Sequence, residues 1–135
     1  MLIVLDTNVL VSGLLRPDNA PGRIVDLVIA NSIQLAYDDR IMTEYEDVLT
    51  RAPFSFPRRQ VSALLDHIRL NGTPVSAIPL PITGIPDPSD LPFAEVAVAA
   101  GVDIIVTGNK AHFAFAGALG ISTLSPSAFM KQLQK

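Results

Sequence analysis

The chain lacks cysteine altogether, which removes disulfides and thiolate metal sites and fits a reducing compartment. Histidine is nearly absent as well. Only His67 and His112 occur, far apart in sequence, so a catalytic zinc site is disfavoured and any metal should be a hard cation held by oxygen. The N-terminus has no basic n-region, and its apolar stretch is too short for a signal peptide or a membrane span. These absences predict a cytoplasmic protein with no membrane partner. Charge is sparse: 17% of residues are charged against 49% hydrophobic, a balance that points to an oligomer or partner surface rather than to disorder. At 135 residues the chain fits one domain over 1–135 and can bury roughly two-thirds of its unfolded surface.

What is present begins with "LIVLDTNVLVSG". Leu2 to Leu5 is a run of four apolar residues with a β-branched pair at its centre, as in a strand buried on both faces. Asp6 follows at once. A carboxylate there is either the cap of a following helix or a member of a site that needs negative charge.

Beyond it, Val9 to Leu15 is an apolar segment broken by Ser12 and Gly13, and "RPDNAPG" is dense in turn formers. Helices are predicted over Arg23–Asn31, over "RIMTEYEDVLTR" with Asp38 or Asp39 as cap, and over "RRQVSALLDHIRLNG" up to Asn71-Gly72. "IQLAYDD" alternates like a short strand. The proline-rich run from Pro74 to Pro88 reads as a connector with room for one short strand, because proline is excluded from central ladder positions. "SDLPFAEVAVAAG" is a helix closed by Gly101, "VDIIVTGN" a strand, and "GISTLSPSAFMKQLQK" a last strand and helix. Strands alternating with helices imply an α/β fold with a mostly parallel sheet covered on both sides.

In such sheets, sites form beyond the carboxyl ends of strands, where Asp6-Thr7-Asn8 and Thr107-Gly108-Asn109 both fall. On the helix after Asp38, Ile41, Tyr45, Val48 and Leu49 make the apolar stripe, and Glu44 sits on its border. It is either a snorkelling acid or one aimed at a site. Asp90 opens the helix over 91–101; Asp90 or Ser89 could simply be its cap, and Asp87 competes with Asp90 for any functional role.

Taken in order, "LDTNVLVSGLL", "EYEDVL", "DPSDLPFAEVA" and "VTGN" resemble the PIN-domain ribonucleases, especially the toxins of VapBC-type toxin–antitoxin pairs. The resemblance spans nearly the whole chain. It implies a three-layer αβα fold and an acidic pocket holding Mg²⁺ or Mn²⁺ for hydrolysis of single-stranded RNA, with a cognate antitoxin as partner and a homodimer as assembly. Asp6, Glu44 and Asp90 match three acidic positions of the family. The fourth departs, with Asn109 where the family usually has aspartate; a catalytically impaired binding module is therefore an alternative. A phosphohydrolase of the haloacid dehalogenase type is a weaker one, since its second aspartate would here be Asn8.

The chemistry of the acids is coherent without the family. Two carboxylates about 4 Å apart repel by about 4 kcal/mol at an effective dielectric of 20, so several converge only if a cation or protons offset them. The resemblance therefore implies Asp6, Glu44, Asp90 and Asn109 as the catalytic and metal-ligating set. Thr7, Asn8, Thr107 and His112 are candidates for substrate contact, and Arg16, Arg23, Arg51, Arg58 and Arg59 for contact with RNA backbone.

Overall fold

A computed structural model describes residues 1–134. Strand β1 (Leu2–Leu5) is followed by α1 (Thr7–Leu15), α2 (Ala20–Ile29), β2 (Gln34–Tyr37), α3 (Asp39–Leu49), α4 (Arg58–Asn71) and β3 (Thr73–Pro74). A 3-10 turn, Pro88–Asp90, leads into α5 (Leu91–Ala100). Then come β4 (Ile104–Val106), a 3-10 segment over Lys110–Leu119, β5 (Ser122–Leu124) and α6 (Pro126–Leu133). The five strands form one sheet in the order β3-β2-β1-β4-β5, every pair parallel. With helices against the sheet this is the expected three-layer α/β architecture.

The central strand behaves as its sequence predicts. Ile3, Val4 and Leu5 are fully buried, and β1 is shared between two partners along its length. Its first half pairs with β2 (Leu2 with Gln34, Ile3 with Leu35) and its second half with β4 (Val4 with Ile105, Leu5 with Val106). From β1 the chain runs to β2 and β3 on one side and then crosses back to β4 on the other. The strand order therefore reverses between the carboxyl ends of β1 and β4, the place where open α/β sheets form clefts.

Two stretches differ from the sequence reading, and a third has none. Val9–Leu15, taken as a broken apolar segment, belongs to helix α1; a Cβ on Gly13 would lie 2.7 Å from Val25 Cγ2 and 2.9 Å from the Pro21 carbonyl, so this glycine is where α2 packs against α1. Helix α2 starts at Ala20 instead of Arg23, because Pro21 sits in its first turn, where its missing N–H is harmless. Residues 110–119 form a 3-10 run around the buried Phe113, which has no clean apolar period. The connector does contain one strand, the two-residue β3 on the sheet edge, where Pro74 is tolerated. At the end of α4, Gly72 keeps a negative φ; glycine is needed there because a Cβ would meet Leu35 O at 2.5 Å and Ile68 O at 2.6 Å.

Two fully buried contacts fix α3 and α5 against the sheet. Tyr45 Oη of α3 donates to the Leu5 carbonyl at 2.5 Å, and the Tyr45 and Phe93 rings lie 6.4 Å apart, with Phe113 edge-on to Phe93 at the same distance. The hydroxyl bond anchors α3 one residue before Asp6. Tyr45→Phe should therefore lower the unfolding free energy by about 1–2 kcal/mol, read in urea denaturation as a lower midpoint with unchanged slope.

Candidate metal centre

Four segments deliver acids to one cleft. Asp6 comes from the end of β1, Glu44 from α3, Asp87 from the connector and Asp90 from the 3-10 turn before α5; these residues line a cleft of about 440 Å³ together with Thr7, Asn8, Asn109 and His112. The sequence-predicted acids are thus brought together. Thr107 is fully buried behind them and reaches the cleft only through Asp6.

Whether these acids are caps is settled by their hydrogen bonds. Asp6 occupies the N-cap position of α1, but its side chain makes no capping bond; instead Oδ2 accepts from Thr107 Oγ1 at 2.6 Å. The Asp6 amide donates to the Val106 carbonyl at 2.9 Å, so β1–β4 pairing places that threonine beside the carboxylate. Asp90 sits at the N-cap of α5, again with no side-chain capping bond. Asp87 does the capping, with Oδ1 accepting from the Ser89 amide (3.0 Å) and hydroxyl (2.8 Å). Asp38 caps α3 through the Ile41 amide. Both Asp6 and Asp90 are therefore free of local duty and only 7% and 8% exposed.

Glu44 accepts from the Thr7 hydroxyl, so each threonine that follows an apolar strand holds one carboxylate. Asn8 Oδ1 accepts from the Gly108 amide at 3.2 Å and braces the two strand ends. Asn109 is exposed at the rim; its amide N–H donates to Thr107 Oγ1 at 3.0 Å, whereas its side chain makes no hydrogen bond. His112 Nδ1 lies 3.2 Å from Asp90 Oδ2, but without the alignment of a hydrogen bond, and Asp90 Oδ2 is left buried with no hydrogen-bond partner. Sequence reasoning placed His112 near substrate; its position against the Asp90 oxygen, set by the irregular 3-10 segment, carries no sequence signal. Of the arginines proposed for backbone contact, only Arg51 lines this cleft, paired with Asp47 at 3.0 Å. Arg16, Arg23, Arg58 and Arg59 are exposed and form no ion pair among the described residues.

The electrostatics follow from burial. Desolvation raises the pKa of Asp6, against the pull of the Thr107 bond, and raises that of Glu44, against the Thr7 bond and with the repulsion of Asp6 and Asp87 added. Asp90 is pushed up to about 6, first by burial and then by the charges of Asp6 and Asp87. Asp87, half-buried and bonded to Ser89, is lowered. An unpartnered buried carboxylate oxygen and three destabilised anions are what a cation would relieve. One ligand atom each from Asp87, Asp90 and His112 lies within 4.8 Å of the others, somewhat wider than the roughly 3–4 Å that separates atoms bound about 2.1 Å from a shared ion. This donor set fits a divalent cation, whereas Asp6 and Glu44 line the same cleft outside that group.

Residues 2–111 match the sequence profile of the PIN domain. The chain belongs to the PIN domain family. No curated protein is similar enough to add a nearer relative. PIN domains are in general nucleases and typically use divalent metals, and the acidic cluster could hold one here. Family membership leaves an aspartyl-phosphate phosphohydrolase without support, as does the engagement of Asn8 with the Gly108 amide. No helix of the PIN domain among the described residues is long and apolar enough to cross a membrane.

The raised pKa of Asp90 has a stability consequence of definite sign. Its folded-state value of about 6 exceeds the ordinary 3.8, so the folded protein holds this proton more tightly, and the associated stability is full below the unfolded pKa and lost as pH rises through about 6. Without metal, wild type should lose thermal stability relative to Asp90→Asn as pH rises from about 4 through about 6, and the difference should then level off. Saturating Mn²⁺ should reverse the order at neutral pH, since only wild type gains from the ion; melting curves of both proteins, with and without Mn²⁺, measure it.

Proposed function

We propose that this protein is a metal-dependent endoribonuclease that cleaves single-stranded RNA, with Asp6, Glu44, Asp87 and Asp90 around a Mg²⁺ or Mn²⁺ ion. The observation that carries the reading is the buried, unpartnered Asp90 Oδ2 facing a cleft in which Asp6 and Glu44 are also destabilised as anions. A divalent ion bound there would offset the charge of the scissile phosphate and lower the pKa of an attacking water.

The chain's own residues supply orientation and proton chemistry. Thr107 and Thr7 fix one oxygen each of Asp6 and Glu44, leaving the other oxygens for ligation. Glu44, half-buried with a raised pKa, is suited to accept a proton from water, since a base works best with a pKa near the operating pH. His112, against Asp90, is either a nitrogen donor to the ion or a contact to the phosphate. An imidazole in the set favours Mn²⁺ over Mg²⁺.

In the same reading the protein acts in the cytoplasm as a homodimeric toxin, restrained by a protein antitoxin that covers the acidic cleft. Support for protein partners comes from its apolar surface. Leu15, Ile29 and Leu70 are more than half exposed, and Leu14, Val25, Ile29, Ala63 and Leu64 line an apolar groove.

A catalytically silent PIN fold is the reading that Asn109 favours, because its amide brings no charge to the rim. Cleavage of a fluorogenic single-stranded RNA with added Mn²⁺ separates the two. Wild type should cleave, and Asp90→Asn should be reduced about 100-fold or more, with no loss of thermal stability in the absence of metal; an inactive wild type, or an unaffected Asp90→Asn, would favour the silent fold or a contaminating nuclease. Asn109→Asp should tighten Mn²⁺ binding in titration calorimetry, through the added charge at the rim. An unchanged affinity places residue 109 outside the coordination network.

A further inference from the structure

Between α3 and α4 the sequence "TRAPFSFPRR" carries two phenylalanines and three arginines within ten residues. The two rings have different surroundings. Phe56 packs against the hydrophobic core. Phe54 stacks on Phe56, with ring centroids 5.5 Å apart and planes within 12° of parallel, and among the described residues it is the one phenylalanine or tyrosine that lines the acidic cleft, beside Arg51 and Glu44. By contrast Tyr37, Tyr45, Phe93, Phe113 and Phe129 are buried.

The loop holds this ring in place at some expense. Ser55, between the phenylalanines, has φ +53, a left-handed conformation that a non-glycine residue adopts only when its surroundings impose it. Its hydroxyl donates to the Ala52 carbonyl at 2.9 Å, and the Phe54 amide donates to the Arg51 carbonyl at 3.2 Å. The strained turn thus places an aromatic face at the rim of a site whose chemistry is that of a phosphate group, with a guanidinium next to it. Arg51 is held only by an exposed pair with Asp47, a weak contact that a phosphate can displace. Arg58 and Arg59 follow, exposed and unpaired among the described residues. An aromatic ring with neighbouring arginines is the combination by which single-stranded nucleic acid is held without sequence reading, because every base has a π-face.

We propose that Phe54 is a stacking platform for one base of single-stranded RNA beside the acidic cleft, and that Arg51 holds a neighbouring phosphate. Phe56 is the buttress that fixes the ring. The proposal rests on the ribonuclease reading above and adds to it the group that seats the unpaired strand. It accounts for a preference for single strands, since a base inside a duplex has no free face to offer.

The chain has no tryptophan, so Phe54→Trp installs a single indole at the platform. In an Asp90→Asn background, which silences cleavage and removes one negative charge, binding of a short unstructured fluorescein-labelled RNA is followed by anisotropy, with an abasic strand of the same length as control. Phe54→Ala should weaken RNA binding about five- to tenfold and leave abasic binding unchanged. A second version of the Phe54→Trp protein, titrated with unlabelled strands, should show indole quenching by RNA and none by the abasic strand. Phe54 lies outside the core, and a melting temperature matching the Asp90→Asn parent confirms an intact fold. Equal RNA binding with and without the ring, with an unquenched indole, overturns the platform while the ribonuclease reading stands. Equal weakening on the abasic strand does the same. If the Asp90→Asn protein binds no RNA, the platform is overturned; the ribonuclease reading falls with it only if wild type also fails to cleave RNA with Mn²⁺.

Discussion

Mutual repulsion among carboxylates that are also withdrawn from water is the constraint around which this structure is organised. Two such groups about 4 Å apart already oppose each other by about 4 kcal/mol at an effective dielectric of 20, and here Asp6, Glu44, Asp87 and Asp90 share one cleft. The fold meets this strain only in part. Thr107 and Thr7 donate to Asp6 and Glu44, Ser89 donates to Asp87, and the buried oxygen of Asp90 meets only the His112 ring nitrogen, 3.2 Å away. The strain that persists in the cleft, with local capping duties passed to Asp87, is of the kind a bound cation would relieve.

Holding repelling groups together requires a scaffold that cannot open, and the ties around the cleft have that character. The second half of β1 is paired to β4, so Asp6 and Thr107 cannot separate without breaking the sheet. Tyr45 binds the Leu5 carbonyl and fixes the helix that carries Glu44. Glu95 serves the other side. It is 3% exposed, bonds Arg40 at 2.7 Å, and accepts from the Leu80 amide at 2.7 Å, so that α5, the start of α3 and the connector leading to Asp87 meet at one carboxylate. A buried acid with a guanidinium and an amide as partners is satisfied, which separates Glu95 from Asp90 although both lie at α5.

This contrast also marks what sequence can convey. Strand β1, the amphipathic α3 and the glycine-closed α5 are legible because apolar period and end signals are local; those signals leave Glu44 and Asp90 open between cap, core edge and site, and only the family resemblance joins them to Asp6. Helix α1 was hidden because Ser12-Gly13 reads locally as a break, whereas Gly13 answers to Val25 on another helix. Whether Asp6 caps α1 was open until a hydroxyl 101 residues away claimed its oxygen. The division of labour between Asp87 and Asp90 turns on the orientation of Ser89 and the approach of His112. Glu95 in "LPFAEVAVAA" was passed over, yet a lone acid inside an otherwise apolar helix, with Arg40 elsewhere in the chain, was a signal that could have found it.

Net charge is a poor guide to what such a protein can hold, because the charges are partitioned. Arg40 and Arg69 are taken up by Asp38, Glu95, Glu46 and Asp66 and serve the fold. Arg51 lines the cleft beside Phe54, and Arg58 and Arg59 follow in sequence at the start of α4. An overall charge of −3 is thus compatible with a guanidinium at the cleft, but the cleft floor itself repels a phosphodiester unless its acids are neutralised. With its pKa pushed up to about 6, Asp90 has given up most of its proton by neutral pH, so any ion or positively charged group that enters the cleft there would meet four carboxylates rather than three.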